Sequence, residues 1–140
     1  MLARKGLEVK INNTLDFTNF EHMDMQITST SNSFRLVVIY RPPANTKNNF
    51  KSSVFLDEFS SLLETLTATS SKVLLAGDFN VHVDTPEERE AATFINILDS
   101  HNLVQHVSGP THKRKHTLDL LISHKDDDLV SAVSIHDDLP

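Results

Sequence analysis

The sequence of 140 residues contains no cysteine. This absence excludes disulfide bonds and thiolate metal sites, and it leaves the redox compartment undetermined. The sequence also has no apolar run long enough to span a bilayer. Because no apolar signal core follows the first six residues, no secretory signal is expected there. No internal repeat and no low-complexity tract is present.

An excess of positive charge is also missing. The formal net charge is −6, so generic electrostatic attraction of the whole surface to nucleic acid or to an anionic membrane is not expected. A nucleic-acid enzyme can still carry this charge if its cleft is locally positive or holds a divalent cation. The hydrophobic content of 39% is ordinary for a globular protein, and the length predicts one domain with a real core.

The spacing of apolar residues predicts a chain of mixed strands and helices. Two stretches have apolar residues at spacings of three and four, which is typical of helices with one buried face. The first of them lies between two buried apolar runs, and the order strand, helix, strand favours a crossover unit. Strands are predicted at 7–11, 20–28, 34–40, 73–76, 103–107, 118–122 and 129–135, and helices at 50–67 and 86–101.

The most informative stretch follows the predicted strand at 73–76. Gly77 stops the apolar run, and Asp78 and Asn80 follow two positions apart. Because side chains alternate in extended chain, both polar groups can point the same way, at the strand end where open α/β sheets bind ligands. The carboxylate can hold a cation or polarise a water, and the carboxamide can hydrogen-bond water or phosphate. Asp and Asn are also common turn formers, so a plain turn is the competing interpretation.

Tyr40, the only tyrosine, and Arg41 stand at the end of another predicted strand, just before two prolines. Proline lacks a ladder donor and ends the strand. The phenol can donate a hydrogen bond to a phosphoryl oxygen, and the guanidinium can bind phosphate. The alternative is that Tyr40 caps the core with its hydroxyl in water, while the prolines simply lead the chain out of the sheet.

The only dense basic cluster includes Thr111, His112, Lys113 and Arg114. It fits a loop that contacts the backbone of a polyanion, and it fits equally a solvated surface loop. Asp119 follows inside a predicted apolar strand, where a buried carboxylate needs a partner, typically a histidine that it orients. The eight histidines lack compact ligand spacing and have no cysteine partners, so a structural zinc site is not expected.

Three motifs, in this order, resemble the endonuclease/exonuclease/phosphatase superfamily. They are the segments 39–43 (IYRPP), 75–80 (LAGDFN) and 111–120 (THKRKHTLDL). The closer resemblance is to the endonuclease domain of non-LTR, LINE-type retrotransposons, to which the segments 77–84 (GDFNVHVD) and 109–112 (GPTH) are especially similar. The resemblance runs from about residue 20 to the C-terminus.

This resemblance implies an α/β fold of the DNase I-like type, with two sheets packed as a sandwich, helices outside, and a metal site at one sheet end. It implies Mg²⁺-dependent hydrolysis of phosphodiesters, here DNA nicking that primes reverse transcription. Asp78 would bind the metal and orient or deprotonate the attacking water, and Asn80 would help to position that water and the phosphate. Tyr40 would stabilise the phosphoryl oxygens, and Asp119 would orient a catalytic histidine.

The resemblance also implies DNA as the partner and an intracellular, nuclear setting. No membrane partner is expected, and the oligomeric state is left open. The residues expected to contact DNA are Arg41, Thr111, His112, Lys113 and Arg114.

The sequence departs from the family pattern near both ends. The family's metal-binding Glu and its final Ser-Asp-His have no match, since Glu8 and Glu21 lack the right context and His136 precedes its aspartates. We therefore expect residues 1–140 to form a single partial domain that lacks the N-terminal strands and the C-terminal strand and is inactive alone. The alternatives are a non-catalytic, transposon-derived remnant or interaction module and, less favoured, a phosphatase or lipid phosphodiesterase of the same superfamily.

Overall fold

The computed structural model describes residues 6–12, 15–30, 32–45, 47–69, 71–108, 119–127 and 130. Six strands and two helices lie within these ranges, close to their predicted positions. In none of these ranges does a helix have the length and apolar character needed to cross a membrane. The elements are β1 (Glu8–Ile11), β2 (Glu21–Thr28), β3 (Ser33–Tyr40), α1 (Ser52–Thr67), β4 (Lys72–Asp78), α2 (Arg89–Ser100), β5 (Leu103–Gln105) and β6 (Asp119–His124).

The six strands form one mixed sheet in the order β1-β2-β3-β4-β6-β5. The strands β3 and β4 are parallel and are joined through α1, which confirms the predicted crossover unit. All other neighbouring strands are antiparallel. The predicted α/β class is therefore confirmed, and this connectivity brings the ends of β3 and β4 to the same edge as the start of β6.

The core lies between one face of the sheet and the two helices. Every second residue of β3, β4 and β6 points towards the helices, as expected of strands with one covered face. The helices contribute aromatic side chains to this core. The rings of Phe59 and Phe94 stack with their centroids 5.0 Å apart. Phe79, from the segment after β4, packs edge-on against both rings. The buried sheet residues of this core are Val37, Ile39, Val73, Leu75, Leu120 and Ile122.

Several predicted boundaries differ from the structure by two or three residues, including the start of α1 and the end of β6. The strand β4 continues through Gly77 to Asp78, because both residues pair in register with the end of β3. The helix α2 begins at Arg89, after a turn that includes Pro86. The strand β5 ends at Gln105, whose side chain donates to the carbonyl oxygen of Val107, 2.7 Å away. Apart from residue 130, the predicted strand at 129–135 lies outside the described residues, as does the whole segment 109–118.

The other face of the sheet carries no helix in the described part of the chain. Met23 and Val38 lie directly opposite each other on β2 and β3, and each is 41% exposed. Tyr40, two residues further along β3 on the same face, is 47% exposed. A contiguous apolar surface of this kind marks a place of association or aggregation. We call it the open face.

We expect the open face to make the isolated chain self-associate. The weight-average mass from sedimentation should rise with concentration, and Val38→Lys should suppress the rise because a charge interrupts the apolar surface. The matched control is Val54→Lys on α1, since Val54 is 37% exposed but lies on a helix rather than on this face. A wild-type chain that stays monomeric throughout, or equal suppression by both variants, would contradict the expectation.

Candidate active site

Three of the four predicted catalytic residues lie in one row across the sheet. Tyr40 at the end of β3 pairs in register with Asp78 of β4, and Asp78 pairs with Asp119 of β6. Residues that are directly opposite project from the same face, with Cβ atoms about 4.5–5.5 Å apart in antiparallel pairs. The topology therefore brings a phenol and two carboxylates side by side at one end of the sheet. We call Tyr40, Asp78 and Asp119 the rim row.

Asn80 reaches this rim through a turn. The ring of Phe79, the first residue after β4, is buried in the core. Asn80 follows it with a left-handed φ of 50°. Its backbone N–H donates to Asp78 Oδ1 at 3.0 Å. Asn tolerates this conformation better than most residues. The chain is therefore not extended through Asn80, so the alternation expected of extended chain does not apply there. The turn interpretation is confirmed for the backbone, and the turn keeps Asn80 hydrogen-bonded to Asp78 of the rim row.

Asp119 has a different environment from the one predicted. It is the first residue of β6 and is exposed, whereas the sequence suggested a carboxylate buried inside the strand. The prediction of burial fails because Asp119 projects on the open face rather than towards the helices, like its paired neighbour Asp78. Its place beside Asp78 nevertheless keeps it in the rim row.

Arg41 was predicted to bind phosphate, but its side chain has partners within the protein. The residue is only 9% exposed. Its Nη1 forms an ion pair with Glu90 and donates to the carbonyl oxygen of Asn80 at 3.3 Å. Its Cζ lies 4.0 Å from the centroid of the Phe55 ring. A cation that is already paired and stacked favours a structural role over a phosphate contact.

Glu21 lies next to the rim row, although the sequence context gave no reason to select it. It pairs in register with Tyr40 and is exposed. Its position depends on the alignment of β2 against β3, and no local pattern reveals that alignment. The predicted DNA-contacting residues Thr111, His112, Lys113 and Arg114 lie outside the described residues.

The donor atoms of the rim row are those that Mg²⁺ prefers. Mg²⁺ takes oxygen ligands, is usually bound through one or two carboxylates, and keeps several waters. Asp78, with Asp119 beside it, fits such a partly hydrated ion. Nowhere among the described residues do three or more His, Cys, Asp or Glu side chains form a group that could hold a metal ion. These residues therefore fit an open site rather than a complete protein cage.

The family follows from the sequence match. A family model described as "Endonuclease-reverse transcriptase" matches residues 34–138, a range that includes the whole rim row. The chain belongs to this endonuclease–reverse transcriptase family. Membership confirms the predicted endonuclease/exonuclease/phosphatase superfamily. No protein among the curated ones matches the sequence.

Solved structures share the fold of this family member. The human Nocturnin catalytic domain superposes with a TM-score of 0.58 at 18% identity, covering 84% of this chain and 48% of that one. Humanized D. rerio TDP2 gives 0.59 at 14% identity, covering 89% and 56%. D. rerio TDP2 complexed with a single-strand DNA product gives 0.57 at 11% identity, covering 89% and 57%. The chain thus spans about half the length of these structures, and the likeness shows a DNase I-like fold.

Proposed function

We propose that this chain carries part of the active site of a Mg²⁺-dependent endonuclease that nicks DNA for a non-LTR retrotransposon. The observation that carries the proposal is the register of the sheet, which sets Tyr40, Asp78 and Asp119 side by side at one end. Family membership supports hydrolysis of phosphodiesters. The single-strand DNA product bound to D. rerio TDP2 supports nucleic acid as the substrate class.

In the proposed reaction, the chain's own residues position the reactants. Mg²⁺ bound at Asp78 would supply charge neutralisation for the phosphate. Asp78 orients or deprotonates the attacking water, and the Asn80 carboxamide positions that water and the phosphate. The Tyr40 hydroxyl, on an exposed ring, donates to a phosphoryl oxygen. Such positioning is the main requirement of phosphoryl transfer.

Two further groups complete the proposal. Asp119 orients a catalytic histidine through an imidazole N–H, and its exposed carboxylate is accessible to such a group. The segment Thr111, His112, Lys113 and Arg114 contacts the DNA backbone, and its basic character supports this assignment in an acidic chain. The corresponding location is the nucleus.

We further propose that the chain does not hydrolyse phosphodiesters alone. The support is the incomplete set of metal ligands among the described residues. Incubation with supercoiled plasmid and Mg²⁺ should therefore convert no more plasmid to open circles than the Asp78→Ala variant does. Mg²⁺-dependent nicking that Asp78→Ala abolishes would refute inactivity and establish the nuclease directly. Nicking that Asp78→Ala retains would place the activity outside the rim row.

The open face favours a second candidate function, a non-catalytic interaction module. Exposed Met23 and Val38 provide an apolar surface for a protein partner. The two candidates differ in their response to Mg²⁺. Amide resonances near Asp78 should shift on titration if the endonuclease proposal is right, and they should stay unchanged up to several millimolar if the chain is only an interaction module.

A further inference from the structure

Arg41 links three structural elements from a buried position. Its guanidinium forms an ion pair with Glu90 at the start of α2 and lies over the ring of Phe55 on α1. The second carboxylate oxygen of Glu90 accepts a hydrogen bond of 2.7 Å from the Ser52 hydroxyl at the start of α1. A buried charge that loses its partner is strongly disfavoured, so these groups stay together as one unit.

The same arginine holds both ends of the turn that carries the candidate catalytic groups. Its backbone N–H donates to the carbonyl oxygen of Asp78 at 2.8 Å. Its side chain donates to the carbonyl oxygen of Asn80 at 3.3 Å. Inside the turn, the Asn80 N–H donates to the Asp78 carboxylate at 3.0 Å. The turn is therefore bracketed by one residue, which itself is fixed by Glu90.

Asn80 has its backbone in the left-handed region, with φ of 50°. Asn adopts this conformation more readily than most residues, and the two contacts from Arg41 hold it in that conformation here. Only a planar guanidinium can pair with a carboxylate, donate to a carbonyl and stack on a ring at the same time. A lysine has a single point charge at that position and cannot replace all three contacts.

We infer that the Arg41–Glu90 pair is a positioning device that fixes the orientation of Asp78 and Asn80 at the rim. Arg41 acts through the Asn80 carbonyl rather than on phosphate. The structural part of this inference stands on the contacts alone, whereas its consequence for Mg²⁺ binding rests on the proposed function. Loss of the pair should loosen the turn while the sheet and the helical core persist.

The test compares Arg41→Lys with Arg35→Lys. Arg35 lies on β3, six residues before Arg41. It is largely buried and forms a bidentate ion pair with Asp24. Two quantities are measured by NMR at a temperature where circular dichroism shows each variant to be folded. The first is the hydrogen-exchange rate of the Asn80 backbone N–H. The second is the Mg²⁺ dissociation constant, obtained from the shifts of the backbone amide resonances of residues 77–81.

Arg41→Lys should speed exchange at Asn80 by about tenfold, as expected for loss of one hydrogen bond. It should weaken Mg²⁺ binding by about tenfold, a typical effect of losing a group that orients a metal ligand. Arg35→Lys should change neither quantity. Glu90→Gln should also speed exchange at Asn80 and weaken Mg²⁺ binding. It replaces Arg41→Lys in the test if Arg41→Lys does not fold.

The inference is overturned if Arg41→Lys and Glu90→Gln lower the melting temperature as Arg35→Lys does but leave exchange at Asn80 unchanged. In that case the pair contributes only to stability. If the wild-type chain shows no Mg²⁺ response while exchange at Asn80 still rises in Arg41→Lys, the proposed function fails and the positioning role stands.

Discussion

Gly77→Ala is expected to lower the free energy of unfolding by at least about 3 kcal/mol, or to prevent folding. A Cβ at this position would lie 1.9 Å from the carbonyl oxygen of Ile39, on the neighbouring strand. The backbone of Gly77 also has a φ of 138°, a conformation that only glycine adopts readily. Because the obstacle is backbone in a paired strand, no side-chain movement relieves it, and β3 and β4 must separate at the rim.

The measurement is urea-induced unfolding, with Gly6→Ala as the matched control. Gly6 also has a positive φ, of 92°, but nothing lies within 4 Å of an added Cβ. Gly6→Ala should lower the free energy of unfolding by about 1–2 kcal/mol at most, which is the usual penalty for an L-residue in the left-handed region. Equal losses in the two variants would show that the close approach between β3 and β4 does not exist.

Asp78→Asn is expected to weaken Mg²⁺ binding by about 100-fold or more. Loss of a group that merely orients a metal ligand already weakens metal binding by about 10–100-fold. Asp78 is the proposed ligand itself, so its loss should have a larger effect. Asn still offers an oxygen that can accept from the Asn80 N–H, so the turn should keep its conformation. The effect should therefore come from the lost charge rather than from misfolding.

Isothermal titration calorimetry with MgCl₂ measures this loss, and Asp57→Asn is its control. Asp57 is an exposed carboxylate on α1, away from the rim row, so its removal makes the same change of charge elsewhere on the surface. The control should bind Mg²⁺ like the wild-type chain. An Asp78→Asn variant with wild-type affinity would remove the rim row from metal binding.

The elements themselves were predictable because their signals are local. The apolar residues of α1 recur at spacings of three and four, and its buried residues Phe55, Phe59 and Leu62 follow that spacing. The strand β3 was evident from its apolar run and from the prolines that follow it. Both patterns depend only on residues that are close in sequence, so one sequence was sufficient to find them.

The rim was predictable only in part. Tyr40 and Asp78 were selected because each stands at the end of an apolar run, and Asp119 because it lies inside one. All three belong to motifs of a known family. The burial of Arg41 depends on its partner Glu90, which is 49 positions away in sequence. The place of Glu21 depends on which residue of β3 it faces across the sheet. The turn at Asn80 likewise depends on the burial of Phe79, which is a tertiary effect.

The most direct test of the rim row as a cation site is paramagnetic broadening of the wild-type amide spectrum by substoichiometric Mn²⁺. Broadening should be strongest at Tyr40, Asp78 and Asp119 together, since these residues are neighbours only if β3, β4 and β6 pair as described. Broadening centred instead on another exposed carboxylate such as Asp126, or no localised broadening at all, would contradict the assignment.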